Sequence, residues 1–295
     1  MDCDSLAPLI SVLIPAYNHA DGVERALSSV GPSRLSPHVE VLISDDSTLP
    51  EAQRAVAAAA AAFAPAVYRH NRPPLGAVAN WNSLLAQARG RYCLLLHHDE
   101  MFESPQVFES VLALLAGPDA PDGIVLACKV VGRDGHPRLN LPTFLVRFIT
   151  LRWPGYLLRR NLLGAPSVLV LRRSLYLRYD ETLRSIVDVE LYARVLVSSP
   201  TRLLFLPAPG LLSDGTLATS ISASLREEIP RITKEELRSL ESRGALLGPG
   251  SWLVSSRPMA ALARGADQLA WMAFRAAQRS SQAIFRRVVA SLRGN

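Results

Sequence analysis

Along the first 120 residues, short apolar runs alternate with stretches of helical period. Ile10 to Ile14 (ISVLI) is an apolar run stopped by Pro15, the pattern of a strand covered on both faces. Asp21 then stands where a helix would be capped, with Val23, Ala26, Leu27 and Val30 on one face. Val39 to Ser44 predicts a second strand, Glu51 to Phe63 an alanine-rich helix ended by Pro65, and Ala66 to Arg69 a short third strand. Asn80 to Ala88 predicts a helix closed by Gly90, Tyr92 to Leu96 a fourth buried strand, and Pro105 to Leu115 a further helix.

This alternation predicts an α/β fold with a mostly parallel sheet and helices on both faces. Ligands bind such sheets outside the carboxyl ends of the strands. Three predicted ends carry polar clusters: Pro15-Ala16-Tyr17-Asn18, Asp45-Asp46-Ser47 and His97-His98-Asp99-Glu100. Separate strands thus deliver carboxylates, imidazoles and an aromatic ring to one rim. The second half is less regular. Gly123 to Val131 and Ser167 to Leu171 predict strands, Val187 to Val197 a helix, Pro207 to Gly215 a loop, and Glu227 to Ser242 a charged, solvated helix.

Composition narrows the class. With 49% hydrophobic and 20% charged residues in 295, the chain has material for a large core and is no disordered tail protein. Cys3, Cys93 and Cys128 lie far apart without a CxxC pair, so neither a disulfide framework nor a zinc knuckle is expected, and a reducing, cytoplasmic setting is. No secretory signal or spanning apolar run is apparent, while the mean hydropathy of +0.16 leaves a membrane-surface location open. The net charge of +6 equals the seven Arg and one Asp between Trp252 and Asn295. Residues 1–251 are therefore close to neutral, which argues against a nucleic-acid surface. Within 259–293 the arginines recur at helical spacing opposite Leu, Ala, Trp and Phe. Such a segment suits an anionic membrane interface, or equally a helix packed on its own domain with arginines in water.

The clusters have a chemistry of their own. An aromatic ring just past a strand, at Tyr17, offers a stacking surface for a nucleotide base, and a carboxylate on the neighbouring strand accepts from base or ribose. Asp45 and Asp46 divide that role with capping of the following helix, Asp46 being favoured for the nucleotide. Carboxylates at 99 and 100 suit a divalent cation. Neither GxGxxG, GxxxxGK[ST] nor GxSxG occurs, which counts against dinucleotide, P-loop and serine-hydrolase chemistry.

ISVLIPAYN at 10–18, VEVLISDDS at 39–47 and GAVANWNSLLAQARGRYCLLLHHDE at 76–100, taken in order, resemble the inverting family-2 glycosyltransferases with a GT-A fold. The resemblance runs from about residue 9 to about 197. It implies that Pro15, Ala16, Tyr17, Asn18, Asp45, Asp46, Asn80, His97 and His98 line the site for a nucleoside-diphosphate sugar donor. It further implies that Asp99 holds Mn2+ or Mg2+. The family often carries Asp-x-Asp here; this chain has His97 at the first position, an imidazole able to ligate Mn2+ or to bond the ribose. Asp188, ahead of a hydrophobic helix, matches the family's general base, and Gly164 to Ser167 its acceptor loop. Arg69 and Arg72 read equally as diphosphate contacts or solvated charges. The QxxRW motif of processive members is missing, so a single addition is expected.

The expectation is therefore a GT-A catalytic domain over 1–215 and a C-terminal helical region over 216–295. Its acceptor is a glycan or lipid-linked glycan, met in the cytoplasm or at the inner face of the membrane. The competing expectation is a non-catalytic sugar-nucleotide or glycan-binding protein that keeps the fold.

Overall fold

The computed structural model describes residues 7–131, 137–198, 201–216 and 227–245. The basic stretch 259–293 lies outside the described residues. In chain order the elements are β1 (Ile10–Ala16), α1 (Ala20–Val30), β2 (Val39–Asp45), α2 (Pro50–Ala62), β3 (Val67–His70), α3 (Ala77–Gln87) and β4 (Tyr92–Leu95). There follow β5 (Glu100–Phe102), α4 (Pro105–Ala116), β6 (Gly123–Val131), β7 (Pro137–Asn140), α5 (Phe144–Arg152), β8 (Leu169–Arg172), α6 (Val187–Ser198), β9 (Leu203–Asp214) and α7 (Ile229–Ser242).

One sheet carries all nine strands in the order β3-β2-β1-β4-β8-β6-β9-β5, with β7 paired to β6. The strand order reverses at β1. Right-handed crossovers therefore put α1 and α2 on one face and α3 on the other, and α1 indeed packs on α2 and α4 while α3 packs on β1 and β2. The reversal opens a crevice at the carboxyl ends of β1 and β4, where the polar clusters lie. Beneath it the strands are mostly apolar: Ile10, Val12, Leu13, Ile14, Leu94 and Leu95 are fully buried. Truncating one such leucine to alanine typically costs about 2–5 kcal/mol, which fixes the rim by fixing its base.

The first four strands are parallel, as expected. Beyond β4 the sheet is mixed: β6–β9 is parallel, but β4–β8, β6–β8, β6–β7 and β5–β9 are antiparallel. Within Pro207 to Gly215, expected as a loop, the residues to Asp214 are the second part of β9. Pro207 and Pro209 lack ladder donors, and the register shifts between Val125 and Cys128 of β6 absorb them at an irregularity. Ser167 precedes its strand, in a 3-10 turn over Pro166–Val168. The cap of α1 is His19, whose Nδ1 accepts from Gly22 N at 2.9 Å, and Asp21 sits in the first turn instead. The helix expected to be solvated, α7, buries Ile232, Glu236 and Leu240.

Candidate active site

The β1 and β2 ends are fastened to each other first. Asp46 N donates to Ala16 O at 3.0 Å. Asn18, at a positive φ of 48° that Asn tolerates, accepts from Thr48 N at 3.0 Å and donates from its own N–H to Ser47 Oγ at 2.8 Å. Tyr17 is left 42% exposed beside them.

The two adjacent carboxylates have separate tasks. Asp45, fully buried, accepts from Ser47 N and Oγ and from Tyr68 Oη. Asp46 is 4% exposed; its Oδ1 accepts from Asn71 Nδ2 at 2.8 Å and Leu75 N at 3.1 Å, and its Oδ2 from Gly76 N at 2.8 Å. Neither caps α2, whose first turn has no side-chain cap. Asp46 thus shapes the 71–76 loop, with Asn71 at the centre of a network reaching Ser44 Oγ and Asn80 Oδ1. Asn80 Nδ2 returns to Ser44 O at 3.0 Å. The Asn71 Oδ1 atom is buried without a partner. Arg69 is exposed, and Arg72 donates to His70 Nδ1 at 3.0 Å.

At the β4 end the chain turns inward. His98 Nδ1 lies 3.1 Å from Pro15 O, which ties β4 to β1, and the backbone carbonyl of His98 packs so closely on Gly22 that a Cβ there would collide with it. His97 stacks on Trp81 of α3, ring centroids 4.9 Å apart. Burial lowers the His97 imidazole to about 4, against the opposing pull of Asp99, so its ring is neutral. Burial, with the charge of Asp99 beside it, raises the Glu100 carboxyl to about 8. Glu100 accepts from Ser167 Oγ, and Ser167 in turn accepts from His97 N at 3.1 Å.

His97, Asp99 and Glu100 bring ligand atoms within 4.8 Å of one another. His97 Nε2 and His98 Nε2 are buried without partners. A neutral imidazole with an unused nitrogen beside two carboxyl groups is a donor set that fits a divalent cation such as Mn2+.

The last predicted residue, Asp188, stands in the first turn of α6. It accepts from Asn161 Nδ2 at 2.7 Å and Val189 N at 2.9 Å. Burial raises it to about 6, against those donors, which favour the carboxylate. Glu190 is turned away, paired with Arg194 at 2.7 Å. Asn161 also organises the adjoining loop: its Oδ1 accepts from Leu163 N and Gly164 N, and its Nδ2 reaches Gly164 O. Gly164 holds φ at 114°, a conformation few side chains allow, while Tyr192 Oη donates to its carbonyl.

One loop, 161–167, therefore touches Asp188 at its start and Glu100 at its end, and the β1, β2 and β4 ends are joined by direct hydrogen bonds. The predicted residues are thus linked through hydrogen bonds of the strand ends and of this loop. Sequence reasoning missed Asn161 and Trp81 as parts of the site. Asn161-x-x-Gly164 carried a recognisable turn signal; Trp81 carried none beyond its place on the apolar face of α3.

The model for the family described as Glycosyl transferase family 2 matches residues 11–179, more than half of the chain. Two uncharacterized proteins of Mycobacterium tuberculosis are similar. Rv1520 is 24% identical over 193 residues, covering 63% of this chain and 53% of its own length. MT1568 is 28% identical over 207 residues, covering 65% and 63%. The chain thus spans between about half and two thirds of these relatives. Among solved structures, residues 1–349 of Staphylococcus aureus TarS in complex with UDP-GlcNAc align with a TM-score of 0.56 at 17% identity, over 77% of this chain and 66% of that one. The mannosyltransferase PcManGT of Pyrobaculum calidifontis, in complex with GDP-Man and Mn2+, aligns with a TM-score of 0.52 at 16% identity, over 90% and 81%. The shared architecture is the GT-A fold.

Proposed function

The chain belongs to glycosyl transferase family 2, and from that premise we propose an inverting glycosyltransferase that moves one sugar from a nucleoside-diphosphate donor to a hydroxyl of a glycan or lipid-linked glycan. The observation that carries this reading is a connected set of hydrogen bonds: the β1, β2 and β4 ends are tied to one another, and the 161–167 loop links Asp188 to the acidic cluster. The nucleotide would lie along Tyr17 and the Asp46–Asn71–Asn80 network, with the ring of Tyr17 against the base. The UDP-GlcNAc, UDP and GDP-Man carried by similar structures support this donor class.

Asp188 would take the acceptor's hydroxyl proton as its oxygen bonds to the anomeric carbon. The bond from that carbon to the diphosphate oxygen breaks in the same step, with inversion and without a covalent enzyme intermediate. A base raised to about 6 is still a carboxylate at neutral pH and basic enough to accept. Asn161 and Val189 N–H fix the direction in which it does so. His97, Asp99 and Glu100 would hold Mn2+ or Mg2+, whose contribution when bound is neutralisation of charge on the departing diphosphate.

The test is a melting-temperature series with UDP-, GDP-, dTDP- and CMP-sugars, each with and without Mn2+. One donor, with metal, raises the melting temperature by an amount that grows with its concentration; Asp99→Ala abolishes the metal-dependent part. A protein that no sugar nucleotide stabilises under any condition would refute the donor assignment.

A further inference from the structure

We propose that α5 and Trp153 form a docking surface for an anionic phospholipid bilayer. On this helix Val146 and Thr150 are buried and Ile149 packs on the core, whereas Phe144 is 83% exposed, Phe148 45%, and Leu145 and Leu151 are exposed with them. At 3.6 residues per turn, Phe144, Phe148 and Leu151 lie along the middle of the outward face and Arg147 and Arg152 flank it. Trp153, 44% exposed, closes the row with its ring 5.7 Å from Phe148 in an edge-to-face contact.

Water is a poor partner for so many adjacent apolar rings, and single exposed hydrophobics elsewhere make no such row. The charge identifies what covers them. Residues 141–153 contain two arginines, Arg147 and Arg152, and no Asp or Glu. Among the described residues neither Arg147 nor Arg152 pairs with a carboxylate; Arg147 lies over the Phe205 ring. Apolar rings and a tryptophan bordered by unpaired arginines are complementary to an anionic headgroup layer with acyl chains below it. A second copy of the same face would bring arginines against arginines.

The position of this surface gives it a role. A 3-10 turn over Pro154–Leu158 follows at once and packs on α6, the helix of Asp188, and Asn161 comes three residues later. A bilayer seated on α5 would thus lie on the acceptor side of the site. This last step rests on the proposed transfer to a lipid-linked hydroxyl, whereas docking itself does not.

The test uses the full chain with Trp252→Phe and Trp271→Phe, leaving buried Trp81 and exposed Trp153 as emitters. Vesicles of phosphatidylglycerol and phosphatidylcholine with brominated acyl chains are expected to quench Trp153, and Trp153→Phe to remove the quenching. Arg147→Gln with Arg152→Gln should lower partitioning into these vesicles roughly thirty-fold, at about 1 kcal/mol for each arginine at an anionic surface. Phe144→Ser with Phe148→Ser should lower it at least about ten-fold. Both pairs should leave the donor-induced rise in melting temperature unchanged. Vesicle binding without quenching of Trp153 would assign the contact to another segment and overturn the proposal. So would a concentration-dependent dimer that Phe148→Ser dissociates. Quenching without any donor effect would overturn the transferase substrate reading and leave the docking surface standing.

Discussion

Asp188 is held between opposed influences, and its pH behaviour follows from their balance. Burial raises it to about 6, while the N–H groups of Asn161 and Val189 favour its ionised form. A base works only when unprotonated, so kcat/KM should climb through pH about 6 and level off above it. Asn161→Ala removes a donor to the carboxylate, so the rising limb should move to higher pH and the plateau should fall. The stability sign is the reverse. An unfolded aspartate titrates near about 3.9, so between that value and 6 the folded protein binds more protons, and the group's favourable contribution is lost as pH rises toward 6. Asp188→Asn should therefore lose turnover while melting at or above the wild-type temperature at pH 7.5. A variant that melts lower and keeps its turnover would remove Asp188 from the base role. The place of Asp188 in a helix's first turn was legible in the sequence, because Val187 to Val197 carries a helical pattern. Asn161 was not: its spacing to Gly164 signalled a turn, but its bond to Asp188 reaches across 27 residues of chain, which no local pattern shows.

At the scale of elements, α6 aims Asp188, and α7 holds the start of α6. Glu236 of α7 accepts from the backbone N–H groups of Arg184, Ser185 and Ile186, the last two at 3.1 Å. A carboxylate from another helix thus satisfies donors just ahead of α6, which would otherwise be left without partners. Glu236→Ala should cost about 1–3 kcal/mol in chemical denaturation and lower kcat more than it changes KM for the donor. Glu236→Gln, which keeps an acceptor, should recover part of both; equal loss in the two variants would assign the role to packing alone. Ile232, Glu236 and Leu240 are spaced by four, so an acid stands in the apolar stripe. Polar neighbours on every other face made the helix read as solvated. For strands the sequence was clear where both faces are buried, as in β1, β2 and β4. It was opaque for β9, where two prolines mimic a loop and only pairing with β6 and β5 reveals the strand. The three-residue β5 is too short to show a period at all.

The whole molecule adds a question of where the fold ends. A division after residue 215 would separate α7 from the α6 start that it caps, although α7 also seats Leu240 and Ile232 in the interior and pairs Arg243 with Asp180 at 3.0 Å. Each fully buried aliphatic side chain is worth about 1.5–3 kcal/mol. Losing those two, together with the partners of three N–H groups, should remove more than about 4 kcal/mol of stability. In a domain of this size that corresponds to a fall in melting temperature on the order of 10 °C. A chain ending at residue 245 keeps the described contacts of α7, whereas one ending at 226 loses them and should melt well below it and below the full-length protein. Scanning calorimetry of the three chains decides the matter. If the 226 chain melts with the others, α7 is dispensable to the fold, and the support of Asp188 must come from the 161–167 loop alone. If the expected order holds, the fold reaches through α7, because the helix that presents the proposed base depends on a carboxylate about fifty residues further along the chain.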